Sequence, residues 1–173
     1  MMLIGILSDT HSCRDGRIAE HLGCCDEIWH AGDIGDADTL RWLGGIGPKL
    51  RAVCGNIDNG IVRRLCPEQM VFECGGVKIF MTHIGGYPGR YAPGIRAALI
   101  NEKPSIMVAG HSHILRVMHD DRLNLLHINP GAAGWHGWQQ VRTLIRLRIE
   151  SGRPHDLEVI ELGDRRSLTM KSN

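Results

Sequence analysis

Leu3-Ile4-Gly5-Ile6-Leu7 is an unbroken apolar run that stops at Ser8-Asp9-Thr10-His11. A run without polar alternation predicts a strand buried on both faces, here opening straight into a polar loop. Asp15 is placed to cap a helix carrying Ile18 and Leu22 on one face, with Gly23 as its stop. Glu27-Ile28-Trp29-His30 predicts a second strand that ends at Ala31-Gly32-Asp33. Asp36 or Asp38 caps a second helix with Leu40 and Leu43 inward. Arg51-Ala52-Val53-Cys54 predicts a third strand, ending at Gly55-Asn56. Three units of strand, polar loop and mostly helix predict a parallel sheet whose active loops lie at the strand ends.

The pattern then changes. Gln69 to Cys74 and Val77 to Met81 predict two strands joined by a Gly75-Gly76 hairpin turn. Ile95 to Glu102 predicts a short helix stopped before Pro104. Ser105 to Ala109 predicts a buried strand that ends in Gly110-His111-Ser112-His113. Arg116 to Asp120 and Arg122 to Ile128 flank a hairpin at Asp120-Asp121. Val141 to Glu150 sets Val141, Thr143, Ile145, Leu147 and Ile149 against Arg142, Arg146 and Arg148, a half-buried strand with an arginine face in solvent. A last strand is expected around Leu157 to Leu162, and 166–173 as a frayed tail.

The 173 residues fit a single domain, 1–173, long enough to bury a core without disulfide or structural metal. Lys+Arg number 20 and Asp+Glu 19, a net charge of +1. That balance gives no strong nucleic-acid signal and argues against an anionic-membrane binder. No apolar run approaches the roughly 20 residues of a membrane span, and the short first run lacks the features of a signal peptide. Six cysteines without a CxxC pair are expected as reduced thiols, which suits a cytoplasmic protein. Cys13, two residues after His11, is the candidate for redox sensitivity.

Five short motifs end apolar runs: Asp9-Thr10-His11, Gly32-Asp33, Gly55-Asn56-Ile57-Asp58, Thr82-His83 and Gly110-His111-Ser112-His113. Each alone is weak. As ligand candidates they offer the two carboxylates Asp9 and Asp33, four histidines and the Asn56 amide. Nitrogen and oxygen donors without thiolate suit borderline divalent metals. Seven ligand groups exceed what one catalytic ion takes and fit two ions about 3.5–4 Å apart with a bridging carboxylate.

The ordered set DxH, GD, GN, H and GHxH resembles the calcineurin-like metallophosphoesterase superfamily. The Ser8-Asp9-Thr10-His11-Ser12 opening, the short length and the Asn129-Pro130-Gly131 loop resemble its small YfcE-type phosphodiesterases. The resemblance runs from Met2 to about Leu147. It implies an α/β fold, a four-layer α-β-β-α sandwich of two mixed β-sheets. It also implies two divalent ions, Mn²⁺ first, with Ni²⁺, Zn²⁺, Fe²⁺ and Co²⁺ as alternatives. Asp9, His11 and His113 match the ligands of one metal, Asn56, His83 and His111 those of the other, and Asp33 the bridge. The implied activity is phosphodiester hydrolysis by a hydroxide activated between two metals, attacking phosphorus in line, with a small phosphoester as partner and a homo-oligomer as one implied state. Alternatives are a non-catalytic protein-binding scaffold of the same fold, or a phosphomonoesterase or nuclease of the superfamily.

Many members carry a histidine after Gly-Asn as the leaving-group acid; Ile57 stands there, followed by Asp58. Asp58 is therefore a catalytic candidate as a group that orients another; the alternative is a preference for substrates whose leaving group needs no acid, such as aryl phosphodiesters. Arg90, in the glycine-rich loop after His83, is a candidate phosphate clamp. His30 is expected either to orient a ligand or to be a buried structural histidine. His21, His119, His127, His136 and His155 are expected on the surface or in the core, and Trp135 and Trp138 in packing or at an interface.

Overall fold

In the computed structural model, which describes residues 1–165, the first apolar run forms β1 (Met2–Leu7). Its side chains alternate between two apolar layers: Ile4 and Ile6 face one, Leu3 and Leu7 the other. Gly5 lies beneath the first helix, where any Cβ would strike the Leu22 side chain. Next come α1 (Gly16–Leu22), β2 (Glu27–Ala31), α2 (Ala37–Gly44), β3 (Lys49–Val53) and α3 (Gly60–Leu65). The Asp15 side chain accepts from Arg17 N–H and caps α1; Asp36, not Asp38, accepts from Thr39 N–H and caps α2. Leu43 is buried as expected, but Thr39 is the second buried residue of α2 and Leu40 is only half-buried.

The second half gives β4 (Gln69–Cys74), β5 (Val77–Thr82), the short pair β6 (Gly86–Tyr87) and β7 (Arg90–Tyr91), then α4 (Ile95–Glu102) and β8 (Ile106–Val108). It closes with β9 (Leu115–Asp120), β10 (Leu125–Pro130), β11 (Val141–Glu150) and β12 (Arg153–Asp164). β10 starts later than the sequence suggests. The Asp120 carboxylate accepts from the N–H groups of Arg122 and Leu123 and holds that stretch as a turn.

One sheet has the order β12-β11-β1-β2-β3, with β1, β2 and β3 parallel and the other pairings antiparallel. The other has the order β4-β5-β8-β10-β9, with β5, β8 and β10 parallel. Between the sheets, Ile4, Ile6, Trp29 and Val53 meet Ile79, Met81, Ile106, Val108 and Ile128. Ile18, Leu22, Leu43 and Val62 cover the outer face of the first sheet, and Ile95 and Leu99 of α4 cover that of the second. The implied α-β-β-α sandwich is the observed fold. Each fully buried Ile or Leu in these layers contributes about 1.5–3 kcal/mol relative to an exposed one. No helix among the described residues is long and apolar enough to cross a membrane. The expected tail at 166–173 lies outside the described residues.

Arg142 corrects the expected solvent-facing arginine stripe. It is fully buried, whereas Arg146 and Arg148 are half-buried. Its guanidinium donates to Ala133 O at 2.8 Å and to Asp15 Oδ2 at 2.8 Å, and lies 3.7 Å from the Trp135 ring centroid. Strand alternation did place Arg142 opposite the inter-sheet face, but the segment before β11 covers it. Trp138, by contrast, is 98% exposed.

Partial burial disfavours the Asp15 carboxylate, yet hydrogen bonds from Arg17 and Arg142 outweigh it and hold its pKa well below the usual range. A carboxyl depressed in the folded state adds stability above its unfolded pKa, near 4, and loses it as pH falls. The urea midpoint should therefore drop below about pH 4, and Asp15→Asn should flatten that part of the profile. An unchanged acid limb in the variant would remove Asp15 as its cause.

Candidate metal centre

The carboxyl ends of the parallel strands in both sheets converge on one edge. The loop after β1 carries Asp9 and His11, that after β2 Asp33, and that after β3 Asn56 and Asp58. From the other sheet, the loop after β5 brings His83 and that after β8 His111 and His113. Asp9, His11, Asp33, His111 and His113 all hold left-handed backbone, with φ between 46° and 68°. That region is sparse for residues with a Cβ, though Asp and His enter it more readily than most, and it costs of order 1–3 kcal/mol each. Backbone bonds lock the loops together: Asp9 N–H donates to Gly32 O, His11 N–H to Asp33 O and Gly110 N–H to His83 O, each at 3.0 Å. Two glycines make room. A Cβ on Gly55 would strike the Asp33 carboxylate. One on Gly32, at φ +90°, would sit 2.7 Å from the His83 ring.

Asp9, His11 and His113 bring one ligand atom each within 4.8 Å of one another, and so do Asp9, Asp33 and His83. His113 Nε2 lies 3.1 Å from Asp9 Oδ1, and His11 Nε2 3.4 Å from His113 Nε2. Asp33 splits its oxygens: Oδ1 is 3.2 Å from His83 Nε2, and Oδ2 is 3.7 Å from His11 Nε2. Asn56 Oδ1 lies 3.1 Å from His83 Nε2. The His111 ring stands 5.3 Å from that of His83, and its backbone N–H donates to Asp9 Oδ2 at 3.1 Å. All seven ligand candidates thus line one site.

The donor set fits cations. Asp9 Oδ1 is buried and has no hydrogen-bond partner. His83 Nδ1 donates to Ala31 O at 2.8 Å, and His113 Nδ1 donates to His136 O at 3.0 Å. A neutral ring fixed this way turns an Nε2 lone pair toward the acceptor oxygens, an arrangement that a cation between them resolves. Burial opposes the His83 cation, but Asp33 and Asp9 outweigh it and raise its pKa; the facing Asp9 carboxylate raises that of His113. Burial lowers that of His11 against the pull of Asp33 and Asp9.

His30 is buried, and burial pushes its pKa down to about 4, so the ring is neutral. Gly32 N–H donates to its Nδ1, and Nε2 donates to Thr10 Oγ1 at 2.9 Å. It braces the first two loops through Thr10 and Gly32. Asp58 is 2% exposed, and its carboxylate accepts from the N–H groups of Ile34, Gly35 and Gly55. Arg90 is exposed and lines a cavity of about 300 Å³ that His111 also lines.

His136, expected to have no part here, lies with its ring 4.9 Å from that of His11 and holds His113 through its carbonyl. Only the glycines flanking Trp135-His136 hint at this. Asn129 donates to Gly110 O and to Ser112 Oγ and fixes the loop carrying His111 and His113. Cys13 does not have the exposure a redox-sensitive thiol needs: it is 7% exposed, and burial pushes its pKa up.

A family model of the calcineurin-like phosphoesterase superfamily domain matches residues 2–152. No curated protein sequence matches. An archaeal phosphodiesterase shares the fold with a TM-score of 0.74 and 21% identity, over 93% of this chain and all of that one. Wild-type Vps29 from Entamoeba histolytica, complexed with zinc, gives 0.71 at 17% identity, over 95% of this chain and 99% of that one. A predicted phosphoesterase from Streptococcus pneumoniae gives 0.66 at 25% identity, over 95% of this chain and 90% of that one. The matched span contains every ligand candidate and both sheets up to the start of β12, and the chain belongs to the calcineurin-like phosphoesterase superfamily.

Proposed function

We propose that this chain is a phosphodiesterase that works with two divalent cations. The observation that carries the reading is the split of Asp33, one oxygen toward His83 and the other toward His11. A carboxylate so placed would serve two ions at once, one on each oxygen. Asp9, His11 and His113 would hold one ion, and Asn56, His83 and His111 the other. Mn²⁺ suits the nitrogen and oxygen donors, and Zn²⁺, found with the Entamoeba Vps29, is the first alternative. Bound there, the ions supply Lewis acidity: they neutralise phosphoryl charge and make water a nucleophile near neutral pH.

The chain's own residues orient and select. Asp58, saturated by three N–H donors, holds the loop of Asp33 against that of Asn56 rather than donating a proton. Ile57, 40% exposed at the site, offers no proton to a leaving group, which favours diesters with acidic leaving groups. Arg90 supplies positive charge toward the substrate's phosphate. The setting is a cytoplasmic enzyme acting on a small phosphoester.

The test is metal content with turnover. Protein loaded with Mn²⁺ should hold about two ions per chain and hydrolyse bis(4-nitrophenyl) phosphate faster than 4-nitrophenyl phosphate. Chelation should abolish both activities and Mn²⁺ should restore them. Folded protein with no bound metal and no turnover would overturn the reading in favour of a scaffold; a faster monoester would reassign the substrate class.

A further inference from the structure

Two cavities flank the ligand cluster and share Ile84 and Ala92 as a dividing wall. The first, about 320 Å³, opens on Asn56 and His83; its Arg63 and Glu68 pair with each other at 2.8 Å, so its charge is internally balanced. The second, about 300 Å³, opens on His111 and differs in charge. Arg90 and Arg116 line it, and no Asp or Glu does. Arg116 lies with its guanidinium carbon 3.9 Å from the Tyr87 ring centroid, a cation–π contact that holds it at the cavity. Arg90 stands across the β6–β7 ribbon from Tyr87. Neither guanidinium has a carboxylate or carbonyl acceptor among the described residues.

The wall holds a second unspent group. His127 is 1% exposed and lies on the same face of β10 as Asn129, which pairs with Arg116 across β9–β10. Its Nε2 donates to Gly86 O at 3.0 Å, leaving the Nδ1 lone pair buried and without a partner. A planar guanidinium held against a ring, with its N–H edge free, suits a phosphate or carboxylate.

We propose that the cavity beside His111 is a subsite, centred on Arg116, that selects diesters carrying a second anionic group on one arm. This rests on the phosphodiesterase reading for its place in turnover, but the anion site itself can be measured apart from it.

The probes are thymidine 5′-monophosphate and thymidine 3′,5′-bisphosphate, titrated calorimetrically into the Mn²⁺-loaded protein. Both carry the 5′-phosphate, and the bisphosphate sets a second anion where the monophosphate has a neutral 3′-hydroxyl, so their difference reads the anion against the hydroxyl. The bisphosphate should bind about tenfold tighter or more. Arg116→Ala and Arg116→Gln should each reduce that preference to under about twofold, with Arg116→Lys between. Matching preferences in kcat/KM are expected for the 5′-(4-nitrophenyl) esters of thymidine with and without a 3′-phosphate. Equal affinity for the two probes in wild type, or a preference that survives in folded Arg116→Gln, overturns the subsite. A preference lost with Arg116 in a protein that hydrolyses neither ester keeps the anion site and sinks the phosphodiesterase reading.

Discussion

If the proposed two-ion centre is right, Asp33→Asn, loaded with Mn²⁺ like the wild type, should bind at least one ion per chain fewer than wild type and lose about 10³-fold or more in kcat/KM on bis(4-nitrophenyl) phosphate. The argument is charge, not shape. Asp33 Oδ1 accepts from Ile57 N–H at 3.0 Å and faces His83, while Oδ2 faces His11. Asparagine fits the same space, and its oxygen can keep the Ile57 bond, so the loop after β3 should stay in place. The nitrogen then faces His11 and cannot bridge two cations. A single well-placed transition-state contact is worth about 10²–10³ in rate, and loss of an ion removes more than one. Two ions per chain with turnover within tenfold of wild type would exclude Asp33 as the bridge.

Asp58→Ala should lower both stability and activity. The substitution strips an acceptor from three backbone N–H groups, those of Ile34, Gly35 and Gly55. Leaving a buried donor unsatisfied costs about 1–3 kcal/mol, so the sum is about 3 kcal/mol or more. For a chain of this size that lowers Tm by roughly 6–12 °C. Loosened loops should cost about 10–100-fold in activity, the usual effect of removing a group that orients ligands. The role is separable from that of a leaving-group acid. Asp58→Asn should slow aryl and alkyl diesters by the same factor. A loss that grows with the pKa of the leaving alcohol would make Asp58 a proton donor instead.

The layers were legible because their signal is local. The run Leu3 to Leu7 encodes a two-sided strand whatever covers it, and α4 begins and ends where Ile95 and Glu102 predict. The ligand candidates were legible as a set, since each polar motif follows an apolar run. The misses arise where the deciding contact is remote. Arg142 alternates like a solvent-facing residue; only Asp15, 127 positions away, and the Ala133–Trp135 stretch reveal that it is buried. His136 reaches His11 across 125 positions with no motif to mark it. α3 escaped because Asn59 makes no side-chain cap and Val62 is its only buried residue. The β6–β7 pair has two residues per strand, too few for any periodicity. Asp58 was visible as a residue type, but its role is set by backbone donors that no sequence pattern displays.

The ligand candidates are divided between the sheets: Asp9, His11, Asp33 and Asn56 belong to loops of one, and His83, His111 and His113 to loops of the other. Cations held by both groups would act as a rivet at one edge of the sandwich, resisting any slide of sheet over sheet. The converse also holds. The spacing between the two halves of the ligand set is transmitted through Ile4, Ile6, Trp29, Met81 and Val108 in the apolar layer between them. A methylene added or removed there changes the gauge of the metal site without touching a single ligand.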